Sequence, residues 1–177
     1  MNRRLAQGFH GDAEHTHHAP VDAVVALGAN LGDRAETMAA AIDDLRRLPL
    51  VDEVRASEPV ESIAVTLEGP DASAPAYLNA VAIVTTRLAP SVLLGYLHAI
   101  EERHGRERRV RWGDRTLDLD LIAYADLTSD APTLLLPHPR AAERDFVLAP
   151  WLSLDPDATL PGVGRVDGAL ARLKDAG

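Results

Sequence analysis

The chain has 177 residues, of which 46% are apolar, with a formal net charge of −9 and no cysteine. Length and composition suit one soluble folded body with its own core, and the missing cysteines exclude disulfides, thiolate catalysis and sulfur-ligated metals. The acidic balance disfavours nucleic acid as a general partner, and no run approaches the roughly 18 apolar residues of a membrane span.

Residues 1–20 are polar and glycine-bearing, with four histidines at His10, His15, His17 and His18. No apolar core follows Arg3 and Arg4, so the segment reads as a disordered tail and not as a signal peptide. A cytoplasmic protein is expected, with residues 21–177 as its one domain and a monomer as the preferred state. The run VDAVVALGAN, from Val21, is short, apolar and rich in valine, which predicts a central strand. Asn30, Gly32 and Asp33 make a turn, with Asp33 placed to cap a helix and Glu36 three residues on. Met38, Ile42, Leu45 and Leu48 give that helix its apolar stripe, and Pro49 stops it.

Val51 to Ser57 predicts a second strand. The stretch from Glu58 to Ala76 holds Pro59, Gly69, Pro70 and Pro75 and reads mostly as loop. YLNAVAIVTT, Tyr77 to Thr86, is a third strand. Pro90 opens a second helix with Leu93, Leu94, Leu97 and Ile100 on its buried side, ending near Gly105. A charged loop leads to a fourth strand, Leu117 to Tyr124. Beyond it come His138 between two prolines, a short helical piece from Ala141, an apolar run Phe146 to Leu152 and a last helix, Val166 to Leu173. The order strand, helix, strand, strand, helix, strand predicts an α/β (α+β) ferredoxin-like sandwich: a mainly antiparallel sheet, two helices on one face and an irregular C-terminal extension.

Two clusters carry chemistry. Asp118 and Asp120 lie in TLDLDLIAY, where strand alternation points both carboxylates to one side and Leu117, Leu119 and Leu121 to the other. Such a pair is either a solvated strand face or an oxygen donor set of the kind magnesium uses. Between Arg103 and Arg115 stand six arginines against two acids, Glu107 and Asp114. Forked guanidinium groups match phosphate oxygens, although the same patch could grip an acidic protein or RNA. GANLGD lacks the lysine of a P-loop. Tyr77 and Asn79 share one strand face; with Phe146 and Trp112 they could frame a flat heterocycle. Trp151 reads as core.

The motifs LGANLGDR, YLNAV, RWGDRTLDLDLIAY and PHPRAAERDFVLAPW, in that order, resemble the 6-hydroxymethyl-7,8-dihydropterin pyrophosphokinase family from about Val21 to Pro161. The resemblance implies transfer of pyrophosphate from ATP, the co-substrate, to the pterin hydroxymethyl group, with AMP leaving. It implies two Mg2+ ions on Asp118 and Asp120, and catalytic roles for Arg108 and Arg111. ATP contacts would fall to His98, Arg106, Arg108, Arg109, Arg111, Arg115, Leu121 and His138. The pterin would stack between Tyr77 and Phe146, with Asn79 at its edge. Ser57, Pro59, Val60, Trp112 and Arg144 would complete that site, and Asn30 would hold neighbouring loops. The chain departs from the family where alanine (Ala29) replaces the serine of the first motif. It departs again in the RASEP segment, which lacks the usual tyrosine, and at His98, where a glutamine can stand.

Overall fold

The computed structural model describes residues 19–62, 64–66, 69–71, 76–105 and 116–176. The tail up to residue 18 and the arginine-rich segment 106–115, with Arg106, Arg108, Arg109, Arg111, Trp112 and Arg115, lie outside the described residues. In chain order the elements are β1 (Val21–Ala29), α1 (Arg34–Arg46), β2 (Val51–Ala56), β3 (Val60–Ser62), β4 (Ala64–Thr66), β5 (Gly69–Asp71), β6 (Tyr77–Thr86), α2 (Pro90–His104) and β7 (Leu117–Tyr124). There follow β8 (Ser129–Ala131), β9 (Leu134–Leu136), a 3-10 turn (Ala141–Glu143), α3 (Asp145–Leu154), β10 (Thr159–Leu160), β11 (Gly164–Arg165) and α4 (Val166–Ala176).

The central sheet has the order β2-β6-β1-β7, with every neighbouring pair antiparallel. That is the arrangement expected of a ferredoxin-like sandwich. β1 occupies the middle because its side chains are apolar on both faces, as its near-continuous burial shows. One face, with Val25 and Leu27 of β1 and Leu117, Leu119 and Leu121 of β7, packs on Met38, Ala41 and Leu45 of α1 and Leu93, Leu97 and Ile100 of α2. Asp33 caps α1 as expected, its Oδ1 accepting from the Glu36 amide at 3.0 Å. Pro90 occupies the first turn of α2, where its missing amide costs no helical bond.

Two regions are more regular than the sequence suggests. Part of the segment from Glu58 to Ala76, read as loop, is strand: Val60, Glu61 and Ser62 continue along β6 opposite Asn79, Leu78 and Tyr77. Three residues carry no usable periodicity, and their partners lie well downstream in the chain. The C-terminal extension is a second layer. Val147, Leu148 and Trp151 of α3, with Val166 and Ala169 of α4, close over Val24, Val81, Ile83, Ile122 and Ala123 on the opposite face. Leu148 is fully buried there. Leu148→Ala is expected to cost about 2–5 kcal/mol of stability, read as a lower denaturation midpoint. An unchanged midpoint would mean that this layer adds nothing to the core.

β7 serves both layers through a bulge. Its register with β1 runs Leu121 opposite Val25 and Ala123 opposite Val24, skipping Ile122. Before the bulge, alternation sends leucines to the first layer and aspartates to the other side. After it, Ile122 and Ala123 both join the second core.

Candidate active site

The helical second layer covers only part of its face of the sheet. Beyond Val81 and Ala26, the register lines up Val60 of β3, Asn79 of β6, Gly28 of β1 and Asp118 of β7 across four strands. The adjacent row sets Ala26 opposite both Val81 and Asp120. Small residues on the middle strand leave bare backbone between two polar flanks. Over this floor lies a cavity of about 490 Å3, walled by Ser62, Tyr77, Asn79, Asp118 and Asp120 from the sheet and by Arg140, Glu143, Arg144, Phe146 and Val147 from the start of the second layer. A Cβ built on Gly28 would stand 3.6 Å from Asn79 Oδ1 and 3.8 Å from Tyr77 Cδ1. The glycine thus opens the floor and relieves no backbone clash.

A second cavity, about 210 Å3, lies on the other side of Asp120. Leu94 and His98 of α2, Leu119 and Leu121 of β7, Leu134 and Leu135 of β9, and His138 line it. Asp120 is the one acidic residue common to both linings.

Two basic side chains, Arg144 and His138, flank Asp120. Arg144 precedes α3, and its Nη1 donates to Asp120 Oδ2 at 2.8 Å, with Asp120 41% exposed and Arg144 21%. The same guanidinium stands 6.0 Å from the centroid of Phe146, within cation–π range. His138 is tied down by its own amide, which donates to the carbonyl of the bulged Ile122 at 2.8 Å. Its Nδ1 accepts from the Arg140 amide at 3.2 Å, which leaves Nε2 to carry the ring proton, 3.9 Å from Asp120 Oδ2. Burial pushes the His138 imidazole below its usual range; Arg144 and Arg140 add to that effect, against the pull of Asp120.

Of the residues singled out in the sequence, Tyr77, Asn79, Asp118, Asp120, Arg144 and Phe146 meet at the larger cavity. His98, Leu121 and His138 meet at the smaller one. Ser57, Pro59 and Val60 are in neither lining. Ser57 is buried; its Oγ accepts from the Val81 amide at 3.0 Å and its amide donates to the Val81 carbonyl, which joins the turn between β2 and β3 to β6. Val60 is exposed. Asn30 is buried, and its Oδ1 has no hydrogen-bond partner among the described residues. Ser62, Arg140 and Glu143 are wall residues that sequence reasoning missed. For Arg140 and Glu143 the signal was present, in PHPRAAERDF itself; for Ser62 it was hidden with the strand that carries it.

Asp118 and Asp120 offer oxygen donors side by side on one face. Among the described residues no group of three or more His, Cys, Asp or Glu side chains forms a fuller cage. That set fits magnesium, which takes one or two carboxylates and completes its octahedron with waters and substrate phosphate.

Residues 24–156 match the model of a family described as 7,8-dihydro-6-hydroxymethylpterin-pyrophosphokinase. The 2-amino-4-hydroxy-6-hydroxymethyldihydropteridine pyrophosphokinase of Pseudomonas aeruginosa is 42% identical over 142 residues, covering 77% of this chain and 82% of the relative. The enzyme of that name from Methylorubrum extorquens is 36% identical, over 88% of this chain and 95% of its own. Among solved structures, Plasmodium falciparum HPPK-DHPS, wild type, superposes with a TM-score of 0.65 at 12% identity, over 89% of this chain. This chain spans 42% of that one, and at such identity the likeness concerns the fold alone.

Proposed function

The chain belongs to the 7,8-dihydro-6-hydroxymethylpterin-pyrophosphokinase family, and from that premise we propose a division of labour between its two cavities. The enzyme transfers pyrophosphate from ATP to the hydroxymethyl group of 6-hydroxymethyl-7,8-dihydropterin, a step of folate biosynthesis, and uses Mg2+. No helix among the described residues is long and apolar enough to cross a membrane; action in the cytoplasm, where ATP is at hand, belongs to the proposal.

In this reading the pterin occupies the larger cavity, over the glycine floor, with its ring between Tyr77 and Phe146 and its polar edge at Asn79. ATP enters from the smaller cavity. Its base lies against the apolar wall of Leu94, Leu121 and Leu135, near His98, and its phosphates lead past His138 toward Asp120. The observation that carries the reading is Asp120, which walls both cavities. A group passing from one ligand to the other must cross in front of it.

The hydroxymethyl oxygen attacks the β-phosphorus. A new O–P bond forms, the bridging bond to the α-phosphate breaks, and AMP departs with the electron pair; the hydroxyl proton leaves to water or to a carboxylate of the pair. Asp118 and Asp120 would hold the Mg2+ ions, two in number, whose charge offsets that of the triphosphate. Arg144, which touches Asp120 and lies over Phe146, adds fixed positive charge between the pterin and the transferred group. His138, whose imidazole burial pushes below its usual range, would present Nε2 to the phosphates. The arginines of segment 106–115, with Arg108 and Arg111 foremost and Arg106, Arg109 and Arg115 beside them, would contact the phosphates, and Trp112 the pterin.

Protein mixed with Mg2+, ATP and the reduced pterin alcohol is expected to release AMP in step with the diphosphorylated pterin. Release of ADP, or no turnover by folded protein, would refute the assignment.

A further inference from the structure

Asn79 is an amide at a recognition edge, so the end that faces the ligand decides what the site accepts. A carbonyl oxygen selects a donor; an amino group selects an acceptor. Three observations agree on one orientation, and the contact with the Tyr77 carbonyl discriminates between the two. The Asn79 Nδ2 donates to Ser62 Oγ at 2.8 Å. It also lies 3.4 Å from the backbone carbonyl of Tyr77, which can only accept. The other end, Oδ1, is the atom nearest to a Cβ built on Gly28, at 3.6 Å, and Gly28 is the cavity floor.

Ser62 can do this because of its place in the sheet. β3 pairs with β6 so that Ser62 stands opposite Tyr77 and Val60 opposite Asn79. Side chains of Ser62 and Asn79 therefore share the cavity face, in the diagonal relation at which cross-strand groups still reach each other. Asn79 is only 6% exposed. In so enclosed a setting, turning the amide over would set Oδ1 against the Tyr77 carbonyl, two acceptors face to face.

We propose that Ser62 is a specificity-determining positioning residue: it holds the Asn79 amide with Oδ1 toward the cavity, so that the site selects a planar ligand presenting a hydrogen-bond donor, the exocyclic amino group of the pterin, above Gly28. The inference rests on the pterin reading of this cavity and adds which edge is read and what sets the reader. Losing the Ser62 hydroxyl leaves the Tyr77 carbonyl as a longer, weaker tether, and the amide then populates both orientations.

The test compares the parent enzyme, Ser62→Ala and Ser62→Thr, each first shown to melt as the parent does. Two substrates are used, the reduced pterin alcohol and its analogue with the amino group replaced by hydrogen. The parent is expected to prefer the amino compound in kcat/KM by on the order of tenfold or more. Ser62→Ala should raise the KM for the amino substrate by roughly five- to tenfold, as loss of about one hydrogen bond does. It should also shrink the preference between the two substrates, with the KM for ATP and kcat little changed. Ser62→Thr, which restores a hydroxyl, should return both quantities to parental values. An equal preference in the parent and in Ser62→Ala, or an ATP KM that rises along with the pterin KM, would overturn the proposal. Absence of AMP formation by the parent itself would instead refute the pyrophosphokinase reading beneath it.

Discussion

Asp120→Asn is expected to lower turnover by about a thousandfold or more while the protein stays folded. The change removes one of two neighbouring oxygen anions from the wall between the cavities. A neutral amide binds Mg2+ weakly, and several kcal/mol of charge stabilisation at the transferred group, each ~1.4 kcal/mol a factor of ten, would go with it. The fold should tolerate the exchange. Asparagine keeps the shape and one acceptor for the Arg144 guanidinium, which now bonds Asp120 at 2.8 Å. Asp120 is also exposed enough for solvent to share the load. Single-turnover rates in Mg2+ and a thermal melt check the two halves of the statement. Turnover within tenfold of the parent would remove this carboxylate from the chemistry.

The second large effect is steric. Gly28→Leu should abolish pterin binding, with kcat/KM for the pterin down by about a hundredfold or more, because a four-carbon side chain would rise from the cavity floor between Asn79 and Tyr77. The backbone does not forbid it. A Cβ at Gly28 meets its nearest neighbours at 3.6 and 3.8 Å, ordinary contact distances, and no left-handed φ is recorded at this position. Gly28 does not line the smaller cavity, where ATP is proposed to enter, so ATP binding, measured by calorimetry without pterin, should match the parent. Parental pterin affinity in a folded variant would move the pterin out of this cavity.

The sequence made some of this legible and hid the rest for identifiable reasons. Leu117 to Tyr124 announced itself, because alternation of leucine and aspartate is a local, period-two signal that survives in any context. The same rule put Tyr77 and Asn79 on one face. Gly28 was visible only as the end of an apolar run; its meaning as a floor needs the strands on both sides of it. Phe146 to Leu152 is apolar almost throughout and so has no clear period to separate strand from helix. It folds as α3 because the open face of the sheet demands cover. The ion pair of Arg144 with Asp120 joins residues 24 apart, and the role of Ser57 in joining the turn between β2 and β3 to β6 depends on Val81, 24 positions downstream. Contacts at such separations are set by the sheet and leave no local trace. The resemblance of motifs supplied the names of the ligands; the register supplied the place where they could meet.

The skipped residue at Ile122 has a consequence for how chains of this kind can vary. It acts as a change of phase midway along one strand: upstream positions are locked to the cavity, while downstream ones carry the amide tether that fixes His138. An insertion or deletion just past Leu121 would leave both carboxylates in step with the floor yet displace the imidazole. The carboxylate pair and the imidazole can therefore drift apart in descendants of this chain through a change of length alone, with no substitution at either group.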